Sequence, residues 1–145
     1  MKPGDALALA SLLHAGQLDK AGQPYLGHLE RVAAAVKARG GSDVAQIAAA
    51  LHDAIEDGRA TDRLLAIDGV PDDALRLVAL LTKSEGQHYL DYLANIKANP
   101  EALLIKLCDI ADNSDPGRLA ALPSDVAERL RTKYARAVEI LMGPA

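Results

Sequence analysis

The chain has 145 residues, 50% of them hydrophobic, which suits one domain with an apolar core and leaves no room for a second catalytic domain. Aromatic residues make up only 3% of it, with no Trp or Phe, so base-stacking platforms for single-stranded nucleic acids are excluded. The net charge of -4 argues against any nucleic acid polymer as a partner, because no basic stripe opposes the phosphates.

The hydrophobic pattern predicts helices throughout and no convincing strand. Gly40 and Gly41 end the second predicted helix, and Ser42 or Asp43 caps the third. The Gly-rich stretch 15–27 is expected to be a long structured loop. We therefore predict an all-α bundle of about eight helices around a metal site. The predicted helices span residues 3–14, 28–39, 43–57, 61–67, 72–82, 87–98, 101–113 and 124–141, within a single domain over residues 1–145.

Cellular location and assembly are only weakly indicated by the sequence. No apolar run approaches the roughly twenty residues that a membrane-spanning helix needs, and no signal peptide is recognisable. The single cysteine, Cys108, cannot form an intramolecular disulfide. We expect a soluble cytoplasmic protein that binds no membrane. Helices rich in Ala and Leu, such as 72–82, leave room for a homodimer without specifying one.

Four proton-active side chains end a segment that is otherwise built for burial. Residues 44–51 are nearly all apolar around the whole helix circumference, and His52, Asp53, Glu56 and Asp57 follow them. At about 100° per residue the four share one arc of roughly 140°, so they are expected to face protein. Such groups are costly to bury unless they are paired or bind a cation. The pattern favours a metal-centred hydrolytic site over the alternative, a solvated helix end.

Other residues can complete this site. The apolar segment 103–111 carries Asp109, with Asn113 one turn later on the same face. His28 can project towards His52, although a lone histidine is more often a cap or a hydrogen-bonded core residue. Imidazole and carboxylate ligands together suit Mn, Fe, Co or Zn better than Ca or Mg. The residue types therefore indicate one divalent transition metal.

Several separated motifs follow one order along the chain. They are His-Ala-Gly-Gln at 14–17, Lys20, Pro-Tyr-Leu-Gly-His at 24–28, Leu-His-Asp-Ala-Ile-Glu-Asp at 51–57, and Lys106 to Asp109 continuing to Asn113. Across about residues 5–141 this order resembles the hydrolase domain of the Rel/Spo alarmone enzymes, which belongs to the HD superfamily. It is most similar to the small stand-alone alarmone hydrolases, which lack a synthetase domain.

The resemblance implies a reaction and a role for each motif. The reaction is hydrolysis of the 3′-pyrophosphate of guanosine tetra- or pentaphosphate to GDP or GTP and pyrophosphate. Glu56 and Asp57 match the catalytic acidic pair. The implied metal ligands, usually for Mn(II), are His28, His52, Asp53 and Asp109.

The resemblance also implies contacts with a small nucleotide substrate. Lys20 matches a loop lysine near the substrate phosphates, and Asn113 matches an asparagine that contacts the nucleotide. Tyr25, in the same motif as His28, is expected to bind substrate as well. His14 is expected to support the loop through hydrogen bonds. The remaining candidates for closing the phosphate side, each with plain surface charge as the alternative, are Arg118, Arg131, Lys133 and Tyr134.

The chain departs from the family pattern at places that bear on the substrate. Asp19 stands where the family commonly has an Arg that packs on the guanine base, and an acid there repels an anionic ligand unless it is turned away. Leu29 replaces the Pro of the usual His-Pro, and Ile110 replaces a basic residue. Two alternatives therefore stay open: an HD phosphohydrolase for another nucleotide, such as NADPH or a nucleoside mono- or triphosphate, and a non-catalytic nucleotide-binding module.

Overall fold

The computed structural model describes residues 1–144, so residue 145, the last of the predicted domain, lies outside the described residues. Within residues 1–144 the backbone forms nine helices and no strand, which confirms the prediction of an all-α bundle. The helices are α1 (Pro3–Leu13), α2 (Leu26–Ala38), α3 (Asp43–Leu51), α4 (Asp62–Ile67), α5 (Asp72–Leu81), α6 (Tyr89–Lys97), α7 (Pro100–Asn113), α8 (Pro116–Ala120) and α9 (Ser124–Met142).

Helix α3 lies at the centre of the bundle and packs against α1, α2, α5 and α7. Its residues Ile47 to Leu51 are at most 1% exposed, as the all-apolar sequence predicts. Because most of these side chains are alanine, the neighbouring helices can approach α3 closely. A second, smaller cluster joins α8 to α9 through Leu119, Ala127 and Leu130. The ends of α2, α3 and α7 therefore meet over a tightly packed core.

The turn from α2 to α3 is built by the residues that the sequence singles out. Gly40 has a positive φ of 82°, and the amide of Gly41 donates to the carbonyl of Val36 at 2.9 Å. These are the features of a glycine-terminated helix end. The hydroxyl of Ser42 then accepts a hydrogen bond from the amide of Ala45 at 3.1 Å, so Ser42 is the cap of α3.

The prediction that the third helix runs to residue 57 is wrong, because α3 ends at Leu51. The imidazole Nδ1 of His52 lies 2.6 Å from the carbonyl oxygen of Ala49, the acceptor that the Asp53 amide would use in a continuing helix. Residues 52–58 form successive turns instead, and Gly58 closes them with a φ of 70°. His52 and Asp53 therefore stay at the core, whereas Glu56 and Asp57 are exposed.

Two other segments matter for the site. The loop between α1 and α2 folds back on itself through an antiparallel bridge between Leu18 and Pro24. Helix α8 is absent from the sequence prediction, because five residues are too few to display a helical period. It begins at Pro116, and the side chain of Asp115 caps it by accepting from the amide of Arg118. In residues 1–144, no helix combines the length and the apolar character that crossing a bilayer requires.

Candidate active site

Four side chains from three elements converge at the ends of the central helices. His28 lies in the first turn of α2, His52 and Asp53 follow α3, and Asp109 lies in α7. Each offers one nitrogen or oxygen ligand atom, and these atoms all lie within 4.8 Å of one another. The residues that the sequence proposes as a ligand set are therefore adjacent, and the cluster can bind a metal ion.

His28 is held with one nitrogen pointing into the cluster. Its Nδ1 lies 2.7 Å from Oδ2 of Asp112, which fixes the ring and the proton on that side. Its Nε2 lies 3.0 Å from Oδ1 of Asp109 but lacks the direction of a hydrogen bond and has no other partner, although it is fully buried. Burial lowers the pKa of His28, but the adjacent carboxylates of Asp109 and Asp112 outweigh it and raise the pKa.

His52 is arranged in the same way. Its Nδ1 is bound to the carbonyl oxygen of Ala49, and its Nε2 lies 3.2 Å from Oδ2 of Asp53 and from Oδ1 of Asp109. Burial lowers the pKa of His52, yet the charges of Asp53 and Asp109 raise it well above its ordinary value. Nε2 of His28 also lies 3.7 Å from Oδ2 of Asp53, so both imidazoles direct Nε2 towards the buried Asp109 and the partly buried Asp53.

The carboxylates of Asp53 and Asp109 are held by side chains that the sequence does not identify as their partners. Nζ of Lys106 lies 3.0 Å from Oδ2 of Asp109, and the hydroxyl of Tyr25 donates to Oδ2 of Asp53 at 2.5 Å. Burial raises the pKa of Asp109, but Lys106 and His52 bring it well below its usual range.

The ligand atoms of the cluster suit a metal ion. Two imidazole nitrogens, one of them without any hydrogen-bond partner, face the buried carboxylate of Asp109 and the partly buried carboxylate of Asp53. A buried polar atom left without a partner is costly, and a divalent cation would satisfy it. Mixed nitrogen and oxygen ligands suit a transition metal rather than Ca or Mg. The cluster therefore fits the predicted kind of cofactor.

The acidic pair lies beside this cluster and is tied to two loops. Oε1 of Glu56 accepts from the backbone amide of Lys83 at 2.7 Å, and Oδ2 of Asp57 accepts from Nε2 of Gln17 at 2.9 Å. Desolvation raises the pKa of Asp57; the Gln17 hydrogen bond opposes this and the charge of Asp53 adds to it. The sequence assigns no role to Lys83, nor to Gln17 although it belongs to the motif at 14–17, because nothing local marks contacts this far apart in the chain.

A cavity of about 780 Å³ opens over the cluster and the acidic pair. The three predicted substrate-binding residues, Lys20, Tyr25 and Asn113, all line it. Asn113 also donates to Oδ1 of Asp109 at 3.1 Å. The other cationic and tyrosine side chains of the lining are Lys83, Lys106, Arg118, Lys133, Tyr89, Tyr92 and Tyr134.

Two residues that the sequence singles out, Arg131 and His14, do not line the cavity. Arg131 is absent from the lining and forms an exposed ion pair with Glu128 at 2.6 Å. His14 does not belong to the ligand cluster, and its Nδ1 lies 2.7 Å from Oε1 of Gln17. The structure thus places His14 in support of the loop.

Asp19 also lines the cavity, but both of its carboxylate oxygens are engaged by neighbouring groups of the protein. Its Oδ1 accepts from the backbone amides of Ala21 and Gln23 at 2.9 Å, and its Oδ2 pairs with Arg118 at 3.0 Å. Burial raises the pKa of Asp19, but the amide of Gln23, the Arg118 guanidinium and the amide of Ala21 together lower it. The carboxylate charge is therefore balanced within the protein, which removes much of the repulsion that the sequence predicts for an anionic ligand.

Comparison with known proteins agrees with this geometry. A family model described as HD domain matches residues 6–109, the segment from α1 to Asp109 in α7. The chain belongs to the HD domain family. This HD domain is 30% identical over 118 residues to a protein named "Probable GTP pyrophosphokinase" from Mycobacterium leprae (strain TN). The match covers 74% of the chain but only 15% of that protein's length.

A solved structure has the same fold. Its description reads "A metazoan ortholog of SpoT hydrolyzes ppGpp and plays a role in starvation responses". The two superpose with a TM-score of 0.80 at 22% identity, over 97% of this HD domain and 85% of that chain. This structure shows the fold, and together with the family model and the match to the pyrophosphokinase it confirms the predicted resemblance to an HD domain of the Rel/Spo type.

Proposed function

We propose that this HD domain hydrolyses the 3′-pyrophosphate of guanosine tetra- or pentaphosphate, with a divalent transition metal, most simply Mn(II). The observation that carries the proposal is the buried pair of imidazoles and carboxylates opening into a cavity lined with lysines. The structural neighbour whose description says that it hydrolyses ppGpp supports it further. The expected products are GDP or GTP and pyrophosphate.

The metal would be held by Nε2 of His28 and His52 and by Asp53 and Asp109. When bound, it would supply Lewis acidity and offset negative charge on the phosphate under attack. The hydrogen bonds that the two imidazoles donate from Nδ1, to Asp112 and to the Ala49 carbonyl, keep the rings in the orientation that this requires.

Glu56 and Asp57 would accept the proton of the attacking water. Neither residue belongs to the ligand cluster, yet both line the cavity that opens over it. Each carboxylate has one oxygen fixed by a neighbouring loop, through Lys83 or Gln17. A general base must be positioned as well as basic, and these contacts limit the rotation of each carboxylate. The raised pKa of Asp57 suits a group that accepts a proton.

The remaining phosphates would bind the cationic side of the cavity. Among residues 1–144, Lys20, Lys83 and Lys133 line it without an ion-pair partner. Burial, and after it the charges of Lys106 and Lys20, lower the pKa of Lys133. Cations that crowd together in this way favour an anionic ligand. A small nucleotide with phosphates at two positions would place one near the metal ligands and another near these lysines.

A second candidate is hydrolysis of another nucleotide by the same residues. It is favoured by Asp19, because a carboxylate cannot stack on a guanine base as a guanidinium does, and the nearby guanidinium of Arg118 is paired with that carboxylate. NADPH and nucleoside mono- and triphosphates are the alternatives to test. Whichever nucleotide is the substrate, the proposed function includes a cytoplasmic location and a possible homodimer.

The test is product analysis of guanosine tetraphosphate incubated with Mn(II), for wild type, Glu56→Gln and the matched control Glu139→Gln, which alters an exposed carboxylate on α9. The expected result is release of GDP and pyrophosphate by wild type and control and its loss, about 100-fold or more, in Glu56→Gln. NADPH and nucleoside mono- and triphosphates are included as competing substrates.

Each other outcome has a definite meaning. Hydrolysis of another nucleotide without alarmone turnover would mean that the proposed substrate is wrong and the proposed active site is right. Tight Mn(II) binding with no turnover of any nucleotide would contradict catalysis and indicate a binding module. If Asp53→Ala retained full activity with any substrate, the ligand assignment would be wrong.

A further inference from the structure

One guanidinium joins the loop between α1 and α2 to the end of α7. Nη2 of Arg118 lies 3.0 Å from Oδ2 of Asp19 in that loop, and its Nη1 lies 2.7 Å from Oδ2 of Asp112 in α7. Nη1 also lies 3.2 Å from Oδ1 of Asn113. Arg118 itself comes from α8, so three separate elements share this side chain.

Asp112 is the point at which this network reaches the candidate metal ligands. Its Oδ2 accepts from Nδ1 of His28 at 2.7 Å, and its two oxygens also accept from Arg31 at 2.7 and 3.2 Å. Burial raises the pKa of Asp112, but hydrogen bonds from His28 and Arg31 lower it to about 2. Asp112 is therefore an anion that orients the imidazole of His28.

Asp19 is the other end of the network and is itself fixed. Its side chain is only 7% exposed. Its second oxygen, Oδ1, accepts hydrogen bonds from the backbone amides of Ala21 and Gln23, which flank the turn of the loop. Lys20 is the next residue and lines the large cavity. The line of contacts Asp19–Arg118–Asp112–His28 therefore runs without a gap from the wall of the cavity to a buried ligand atom.

The arrangement is more than a surface ion pair. Arg118 is 24% exposed and Asp112 12%, so water screens this pair less than it screens the exposed pair of Arg76 and Asp73. Arg31, the other cation on Asp112, is 50% exposed and approaches from α2, the helix that also carries His28. Within residues 1–144, Arg118 is the one side chain that contacts both Asp112 and the loop.

We propose that Arg118 is a positioning residue that couples the loop at residues 15–25 to the metal site through Asp112 and His28. The inference rests on the metal-binding part of the proposed function. Without the Arg118 contacts, the half-exposed Arg31 is the remaining cation on Asp112, so the acceptor that fixes the ring of His28 is held less firmly. Because coupling is reciprocal, metal binding in turn orders the loop that carries Lys20.

The first experiment measures Mn(II) affinity by titration calorimetry in the absence of nucleotide. The variants are Arg118→Ala, Arg118→Lys, Asp19→Asn and the double variant Asp19→Asn with Arg118→Ala. Arg76→Ala and Asp73→Asn, which alter the exposed ion pair of α5, are the matched controls. Circular dichroism and thermal unfolding of each variant check that it is folded.

The expected result is an affinity about tenfold weaker for Arg118→Ala and about threefold weaker for Asp19→Asn, whose effect acts through one more contact. In the Arg118→Ala background, Asp19→Asn has no further effect, since the connection is already broken. Arg118→Lys keeps the charge and recovers part of the affinity. Both controls leave the affinity unchanged.

The second experiment reads the coupling from the other end. Hydrogen exchange of the amides in residues 15–25 is compared with and without Mn(II). Mn(II) is expected to slow exchange in wild type and in Arg76→Ala, and to leave it nearly unchanged in folded Arg118→Ala. A variant that merely loosened the loop would exchange faster in both conditions yet keep the response to Mn(II).

The outcomes separate this inference from the proposed function. If wild type binds no Mn(II), both the metal site and the coupling are wrong. If wild type binds Mn(II) and neither Asp19→Asn nor Arg118→Ala changes the affinity, the coupling alone is wrong and the ligand set stands. Additive effects of the two substitutions would show that Asp19 and Arg118 act independently, which also overturns the coupling.

Discussion

Nε2 of Gln17 donates a hydrogen bond to Oδ2 of Asp57 at 2.9 Å, although the two residues are 40 positions apart in the chain. The other end of the same amide, Oε1, lies 2.7 Å from Nδ1 of His14. Because both ends are engaged, rotation of the amide would break two contacts. Gln17 therefore fixes one oxygen of a carboxylate in the proposed acidic pair.

We expect Gln17→Leu to lower kcat about tenfold while KM and Mn(II) affinity change by less than about twofold. The reason is that Asp57 loses its orientation, whereas the ligand cluster and the lysines keep theirs. Steady-state kinetics and metal titration check this with whichever nucleotide is hydrolysed. Gln46→Leu is the control, since its amide donates to the carbonyl of Gly41 outside the cavity. A rise in KM without a fall in kcat would assign Gln17 to substrate binding.

The sequence predicts the central helix well because burial leaves a local record. Apart from Gln46, residues 44–51 are apolar on every side, and α3 is correspondingly buried at the centre of the bundle. The end of that helix is less predictable, since the hydrogen bond between His52 and the Ala49 carbonyl leaves no periodic signal. Helix α8 escapes prediction for a related reason, being shorter than two turns.

The candidate site shows the same limit at longer range. A carboxylate or imidazole within an apolar segment demands a partner, so His52 and Asp109 stand out in the sequence. The partner itself is not encoded locally: Arg118 is 99 positions from Asp19, which it neutralises. The sequence therefore indicates an unfavourable acid at residue 19, and only the fold supplies the cation that balances it.

Lys106→Met is expected to destabilise the metal-free protein by about 3 kcal/mol, because it leaves the buried Asp109 without its ammonium partner. The two groups lie 3.0 Å apart with side-chain exposures of 17% and 7%. Urea unfolding in the presence of a chelator measures the effect. Arg76→Met, which breaks the exposed pair with Asp73, should cost under about 1 kcal/mol. Equal losses in the two variants would mean that Lys106 adds nothing through its burial.

Asp19→Asn is expected to destabilise the protein by about 1–3 kcal/mol near neutral pH and by less in acid. The folded protein lowers the pKa of Asp19 below its ordinary value of 3.8, so the charged form contributes stability above that pH. The contribution is lost as the pH falls through 3.8 and below, when the wild-type carboxyl takes up a proton.

Urea unfolding of metal-free wild type and Asp19→Asn, from about pH 7 to about pH 3, measures the difference between them. The gap in unfolding free energy should narrow below about pH 4. Asp73→Asn, at an exposed pair, should show a small gap throughout. A gap for Asp19→Asn that is constant across the range would show that its ionisation contributes nothing to stability.

Gly41→Ala is expected to destabilise the protein by about 2 kcal/mol through steric crowding. Gly41 has no positive φ, so the cause is space rather than backbone conformation. A Cβ there would overlap Cγ1 of Val36 and lie 2.8 Å from the carbonyl oxygen of the same residue. Val36 is fully buried, so its side chain cannot move aside into solvent.

The matched control is Gly4→Ala in the first turns of α1, where an added Cβ meets nothing within 4 Å. Alanine favours a helix over glycine by up to about 1 kcal/mol, so this variant should be as stable as wild type or slightly more stable. Urea unfolding of both variants measures the difference. Because the Gly41 turn joins the two helices that place His28 and His52, the destabilised variant should regain part of its stability when Mn(II) is added. Equal unfolding free energies for the two variants would show that α2 and α3 can separate at this turn without loss.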